Sequence, residues 1–234
     1  MIHRWDLLTF LHWSYDPAAL APLLPDGLQV ETFGGRAWVG LVPFAMLVRP
    51  PRLPAAPWLS RFCETNVRTY VTAPDGTTGV WFLSLDAARL APVVVARRLF
   101  HLPYYWASMS LEVNGPVVSY RSRRHGPGPA GAHGQVVVQV GQPLAGDELG
   151  DLDHWLTARW RLYTREADGL GYQLARHEPW PLHRAQVIHL DQDLLPAAGL
   201  PEPEGEPLVH WSPGVEVRIG PRHRVMAPRA AGTR

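Results

Sequence analysis

Proline and glycine set the main constraint on this chain: 24 prolines and 21 glycines among 234 residues cut it into short segments, most of them rich in Val, Trp, Tyr and Phe. Neither residue suits a helix interior, whereas turns between strands use both. The pattern is that of a β-rich domain with a few helices. Arg4 to Trp13 reads as a first strand, and Asp16 then caps a short helix from Pro17 to Leu23 that the turn Pro25-Asp26-Gly27 ends. Gln29 to Phe33 and Ala37 to Val48 read as strands around Gly34-Gly35, and the second, apolar on both faces, is expected to be covered on both sides. Arg49 to Leu59, with its four prolines, reads as an ordered loop or lid.

Glu64 to Thr72 and Val80 to Leu85 form a hairpin across Pro74-Asp75-Gly76. Asp86 is expected to open a helical stretch lying mainly between Pro92 and Phe100. Trp106 to Val113 and Val117 to Arg123 flank the hairpin signal Asn114-Gly115, and His125 to Gly134 reads as a loop. Gln135 to Val140 is a further strand, and Asp151 to Thr164 an amphipathic helix with acidic residues at its positive end. Leu170 to Arg176, Ala185 to Asp191 and Leu208 to Ile219 complete the set. About ten strands exceed what one flat sheet holds, so closure into a barrel or a two-layer sandwich is expected. The fold class is α+β and mainly antiparallel β, as one domain over 1–222 with a flexible tail at 223–234.

Charge and composition then exclude functions. All 22 residues in the Lys+Arg total are arginine, so every mechanism that needs an amine side chain is closed, including Schiff-base catalysis and a P-loop lysine. The net charge is +1 and the one basic cluster, Arg121, Arg123 and Arg124, is short, which argues against nucleic-acid binding. Cys63 is the sole cysteine, so no intrachain disulfide forms, in keeping with a reducing compartment. The Met1 to Trp13 stretch carries Arg4, Asp6 and His12 through its apolar residues and reads as neither a signal peptide nor a membrane span. A soluble cytoplasmic protein is expected.

The strand Glu64 to Thr72 places Glu64, Asn66, Arg68, Tyr70 and Thr72 on one face. Such a face is wet on many antiparallel sheets. Its partner strand, carrying Trp81, is apolar on both faces, so the polar face can instead point into protein or a lined cavity, where its charges need partners. A cavity lining and a Glu64–Arg68 ion pair are the two readings this leaves open.

Other constellations are weaker. His177, His183 and His189 recur every six residues, but Pro179 and Pro181 interrupt them, and no pair has the spacing of a known zinc motif; no metal is expected. Cys63 alternates away from Glu64 and lacks a base. The stretch Gly126 to Gly134 lacks the phosphate-loop setting, and no serine has a G-x-S-x-G context.

Several blocks occur in an order that resembles a known family: Asp16, Ala19-Leu20 and Leu24-Pro25-x-Gly27-Leu28, then Trp38-Val39-Gly40-x-Val42-Pro43-Phe44, Glu64-x-Asn66-Val67-Arg68-Thr69-Tyr70-Val71, Gly79-Val80-Trp81-Phe82-x-Ser84-Leu85-Asp86-Ala87 and Leu102-Pro103-Tyr104. Over roughly the first half to two-thirds of the chain they look like the uncharacterised bacterial YqjF-like family, which is placed in the acetoacetate decarboxylase superfamily. The resemblance implies a closed β-barrel with a few flanking helices and a central, mostly apolar pocket. True acetoacetate decarboxylases form a Schiff base through a lysine; in the matching segment this chain has Tyr104 and Tyr105, which form no imine. Glu64 matches the family's pocket glutamate.

These readings give a set of candidate site residues: Glu64 and Arg68 as acid or base and anion holder, with Arg4, His12, Asn66, Tyr70, Trp81, Tyr104 and Tyr105 lining a pocket. The expected function is to bind or act on a hydrophobic carboxylate or carbonyl compound without a cofactor, nucleic acid or membrane; a homo-oligomer is compatible with the sequence. The alternative is a non-catalytic structural or interaction domain with a side-chain-filled barrel.

Overall fold

The computed structural model describes residues 1–49, 61–89, 102–126, 128–166 and 169–225. Twelve strands form one mixed, mainly antiparallel sheet: β1 (Ile2–Tyr15), β2 (Gln29–Val30), β3 (Ala37–Arg49), β4 (Arg61–Thr72), β5 (Thr78–Ala87), β6 (Tyr104–Asn114), β7 (Val117–Gly126), β8 (His133–Pro143), β9 (Arg161–Glu166), β10 (Gly169–Arg176), β11 (His183–Gln192) and β12 (Leu208–Arg224). Among the described residues three short helices, Pro17–Leu20, Asp151–Thr157 and Leu194–Ala197, decorate it. The first starts where Asp16 accepts the Ala18 N–H at 2.9 Å, as an N-cap should.

The pairings run nearly full circle twice. One ring passes β12-β1-β3-β4-β5-β9-β10 and back to β12, and its weakest seam is β5–β9, joined in parallel at the single pair Val80–Leu162. The backbones close there because of Gly79, where any Cβ would run into the Arg161 carbonyl. The second ring leaves β5 through β6, β7, β8 and β11 and returns to β12. The strands β1, β3 and β4 are common to both rings, so each face of them is buried in a different core.

Phe44 and Met46 of β3 and Phe62 of β4 join Leu8, Phe10 and Trp180 in one core. Val39, Leu41 and Val67 point the other way, into a core with Trp13, Val136 and Val138. The two-sided burial expected of Ala37–Val48 is thereby accounted for.

One irregularity decides what faces what. Leu7 takes a positive φ of 53° and the β1–β3 register slips by one residue between Asp6 and Leu11. Such a bulge flips the parity of a strand. Trp5 before it and Leu8 and Phe10 after it therefore share one core, while Leu11 and Trp13 belong to the other. Gly214, at φ 119°, allows β12 to pass Trp5 and Asp6 at the same level, where a side chain would collide with their backbone.

Several sequence expectations need correction. Asp86 does not open a helix: it lies in β5, its carboxylate held by the Arg124 guanidinium, and the Ala88 N–H still bonds to the Cys63 carbonyl. The helix from Asp151 stops at Thr157 rather than running to Thr164, because Arg161–Glu166 pairs with β10 and tertiary pairing outweighs helical pattern. The strand expected over Gln29–Phe33 shortens to Gln29–Val30, with only an isolated Phe33–Arg36 bridge beyond it. His125 and Gly126 belong to β7 and His133 opens β8, so the loop between them is shorter than expected. The helix Leu194–Ala197 went unforeseen, and β12 runs two residues into the segment read as tail. The proline-rich segment after Arg49 and the helix expected over Pro92–Phe100 fall outside the described residues. Among the described residues no helix is long and apolar enough to cross a membrane.

Candidate functional site

Inside the first ring lies a cavity of about 250 Å³. Its walls are mostly apolar, with Phe44, Met46, Phe62, Phe82 and Leu85 among them, and a few polar groups from β4 reach in. Strand alternation puts Glu64, Asn66 and Arg68 on this inner face, spaced along β4 so that Arg68 and Glu64 start about 13 Å apart at 3.3 Å per residue.

Glu64 is 3% exposed, and its carboxylate oxygen Oε2 accepts the Tyr104 hydroxyl at 2.9 Å. Burial pushes its carboxyl up to about 8, opposed by the Tyr104 hydrogen bond and reinforced by the nearby Asp86. At neutral pH the group is therefore mostly a carboxylic acid, able to donate a proton or a hydrogen bond. Burial also drives the Tyr104 phenol well above its ordinary range, so it stays a donor.

Arg68 is the other pole. It is 8% exposed, and its Nη2 donates a long hydrogen bond to the Leu156 carbonyl at 3.5 Å. Its Nε has no partner among the described residues, and no carboxylate there lies within ion-pair distance. The Leu156 carbonyl belongs to the C-terminal end of the Asp151–Thr157 helix, where unsatisfied carbonyls carry partial negative charge. That end serves as counter-charge for Arg68 and for a second cavity-lining guanidinium, Arg159, whose Nε donates to the Trp155 carbonyl at 2.6 Å. Arg159 is further neutralised by Glu31 at 2.7 Å. Arg68 is the buried cation left without a carboxylate.

Behind Arg68 sits a support layer. The Tyr70 hydroxyl donates to the Leu156 carbonyl at 2.8 Å, and the Tyr70 hydroxyl oxygen lies 2.8 Å from His12 Nε2. Since the Tyr70 proton is committed, His12 donates from Nε2 and remains neutral, its pKa driven well below the ordinary value by burial and then by Arg68 and His210. Gly40 leaves room for this ring: a Cβ there would lie 3.0 Å from His12 Nε2.

Of the residues singled out in the sequence, the fold thus brings Glu64, Asn66, Arg68 and Tyr104 to the cavity and sets His12 and Tyr70 behind Arg68. The Glu64–Arg68 ion pair, one of the two readings the sequence left open, is not formed; Glu64 turns to Tyr104 instead. Three residues point elsewhere. Arg4 pairs with Asp6 at 2.6 Å on the surface, on the far side of the Leu7 bulge from His12. Trp81 packs outside the ring with Leu28, Val71 and Tyr163. Tyr105 stacks on Arg124, its ring centroid 3.8 Å from the guanidinium carbon. His183 packs edge-on against Trp211 and His189 is exposed, so neither joins His177 at the cavity.

Four other lining residues had no sequence signal assigned to them, His3, Trp5, Arg159 and Trp180, and His177 carried one only within a histidine series weighed as a metal site. The Trp5 indole N–H donates to His3 Nδ1 at 3.4 Å, so the His3 proton sits on Nε2, which has no partner among the described residues. Burial brings the His3 pKa down to about 4 and lowers that of His177 as well. Both rings are neutral at pH 7.

The nearly closed, mixed barrel of this chain has the acetoacetate decarboxylase-like fold. An acetoacetate decarboxylase-like enzyme from Sphingomonas wittichii RW1 matches it with a TM-score of 0.66 at 15% identity, over 97% of this chain and 94% of that one. The enduracididine biosynthesis enzyme MppR, complexed with pyruvate, matches with a TM-score of 0.65 at 12% identity, over 97% of this chain and 90% of that one. Likeness at this distance speaks for architecture and leaves chemistry to the site. At the level of sequence, residues 3–216 match the family DUF2071, "Uncharacterized conserved protein (COG2071)". The chain belongs to that family. The uncharacterized protein YqjF of Bacillus subtilis (strain 168) is 36% identical over 222 residues, 94% of this chain and 90% of that protein, so the relationship reaches well past the blocks in the first two-thirds.

Proposed function

We propose that this barrel binds a small hydrophobic carboxylate or carbonyl compound in the β4 cavity. The observation that carries the reading is Arg68: a buried guanidinium at the wall of an apolar cavity, with an orphaned Nε and no carboxylate partner among the described residues. An unpaired buried cation is costly, and an anionic guest relieves that cost. The apolar body of the guest lies along Phe44, Met46 and Phe82. Glu64, kept protonated by burial, donates to an oxygen of the guest and is placed to act as a general acid if the guest is turned over. Asn66 offers a further polar contact, and Tyr104 orients the Glu64 carboxyl. With tyrosine where the Schiff-base lysine would stand, turnover proceeds without an imine on a side chain.

Titration calorimetry with hexanoate and hexanamide tests the reading. Hexanoate binds and the uncharged amide does not. In Arg68→Ala the affinity for hexanoate drops about 100-fold, the scale of a charge-assisted contact of roughly 2 to 3 kcal/mol. Equal hexanoate affinity in Arg68→Ala and wild type would sink the assignment. Native mass spectrometry of the purified protein should also retain an acidic small molecule in wild type and lose it in the variant.

A further inference from the structure

The wall that leads away from Arg68 is a track of touching rings. The guanidinium carbon lies 5.5 Å from the centroid of Phe10, and Phe10 stands edge-on to Trp180 at 5.3 Å and 72°. Trp180 stacks with Trp5 at 6.2 Å and 15°, and Trp5 in turn meets Phe44 at 5.8 Å and 56°. Trp180, Trp5 and Phe44 all line the cavity, and the neutral His3 and His177 continue the same surface. Each ring is fixed by its neighbour, so the faces are in place before any guest arrives. The Trp5 indole N–H is already directed at His3, which leaves the π-faces for a guest.

Resting on the carboxylate-binding reading above, we infer that the guest is an aryl carboxylate, its acid group at Arg68 and its ring against Trp180, Trp5 and Phe44. A saturated body gains only buried area from such a wall. A planar ring also gains offset and edge-to-face contacts with rings held at fixed angles. Electron-rich faces receive cations too, but this cavity already holds Arg68 without a carboxylate, and a second positive charge would be repelled. The site therefore separates two acids of the same charge and nearly the same size by the shape and polarity of their ends.

The test compares 3-phenylpropanoate with 3-cyclohexylpropanoate by titration calorimetry on the full chain. In wild type the phenyl acid binds about tenfold tighter, equivalent to about 1.4 kcal/mol. In Trp180→Leu, and separately in Trp5→Leu should the first fail to fold, the ratio falls to about twofold or less. Arg68→Ala weakens both acids and keeps the ratio. A cyclohexyl acid that binds wild type as tightly as the phenyl acid, or a ratio unmoved in a folded tryptophan variant, overturns the aryl assignment and leaves the carboxylate reading in place. Failure of both acids and of hexanoate to bind overturns both.

Discussion

In urea unfolding, Glu64→Gln gains stability relative to wild type as the pH is raised, by about 3 to 4 kcal/mol between pH 5 and pH 8. The sign follows from the carboxyl's two environments. In the unfolded chain Glu64 titrates near its ordinary value of 4.5, and in the barrel burial holds it protonated to about 8. Between those values the folded state keeps a proton that the unfolded state has released. Stability that is present below 4.5 is therefore lost as the pH rises toward 8, at about 1.36 kcal/mol per unit. Glutamine keeps the shape and accepts the Tyr104 hydroxyl but has no proton to lose, so the variant escapes the decline. Taking the difference between variant and wild type cancels the opposing trend of His3 and His12, whose depressed pKa values cost stability as the pH falls below 6.5. Parallel stability curves for the two proteins would show that Glu64 is ionised in the barrel and would remove it as the acid of the site.

Arg124→Met is expected to destabilise the protein by about 3 to 5 kcal/mol, the usual consequence of stripping one partner from a buried ion pair. Arg124 and Asp86 are 2% and 1% exposed, and the guanidinium grips the carboxylate through Nη2 at 2.6 Å and Nε at 3.1 Å. The pair ties β5 to β7, with Tyr105 stacked over it. Burial raises the Asp86 pKa even with Arg124 beside it, which shows how strongly the site resists a lone charge. The double variant Asp86→Leu/Arg124→Met should recover most of the loss, because no uncompensated carboxylate remains. Thermal and urea melts of the three proteins decide it. A single variant within about 1 kcal/mol of wild type would mean that solvent reaches the pair, contrary to its burial.

Strand β4 was readable because nothing interrupts its alternation from Phe62 to Tyr70, and the apolar partner strand implied that its polar face was covered. Arg4 and His12 both lie on the first strand at even positions, which unbroken alternation would place on one face. The Leu7 bulge puts them on opposite sides, and no local pattern announces a leucine at positive φ. The helix from Asp151 was overextended because Arg161–Glu166 has amphipathic spacing in either conformation, and only its pairing with β10 decides. Trp180 sits between two prolines, in a stretch that reads as an exposed connection, yet the fold turns it into the barrel against Phe10 and Trp5. Residues placed by regular alternation were legible. Those placed by bulges, connections and helix ends depended on contacts far away in sequence.

Because β1, β3 and β4 separate two cores, the wall bearing Arg68 backs onto packed apolar side chains and not onto water. Mobile ions cannot gather behind it, so the field of the guanidinium reaches the cavity almost undamped. An attraction on the outer surface would fade as the ionic strength climbs; the pull of this charge on an anion falls off less steeply with salt.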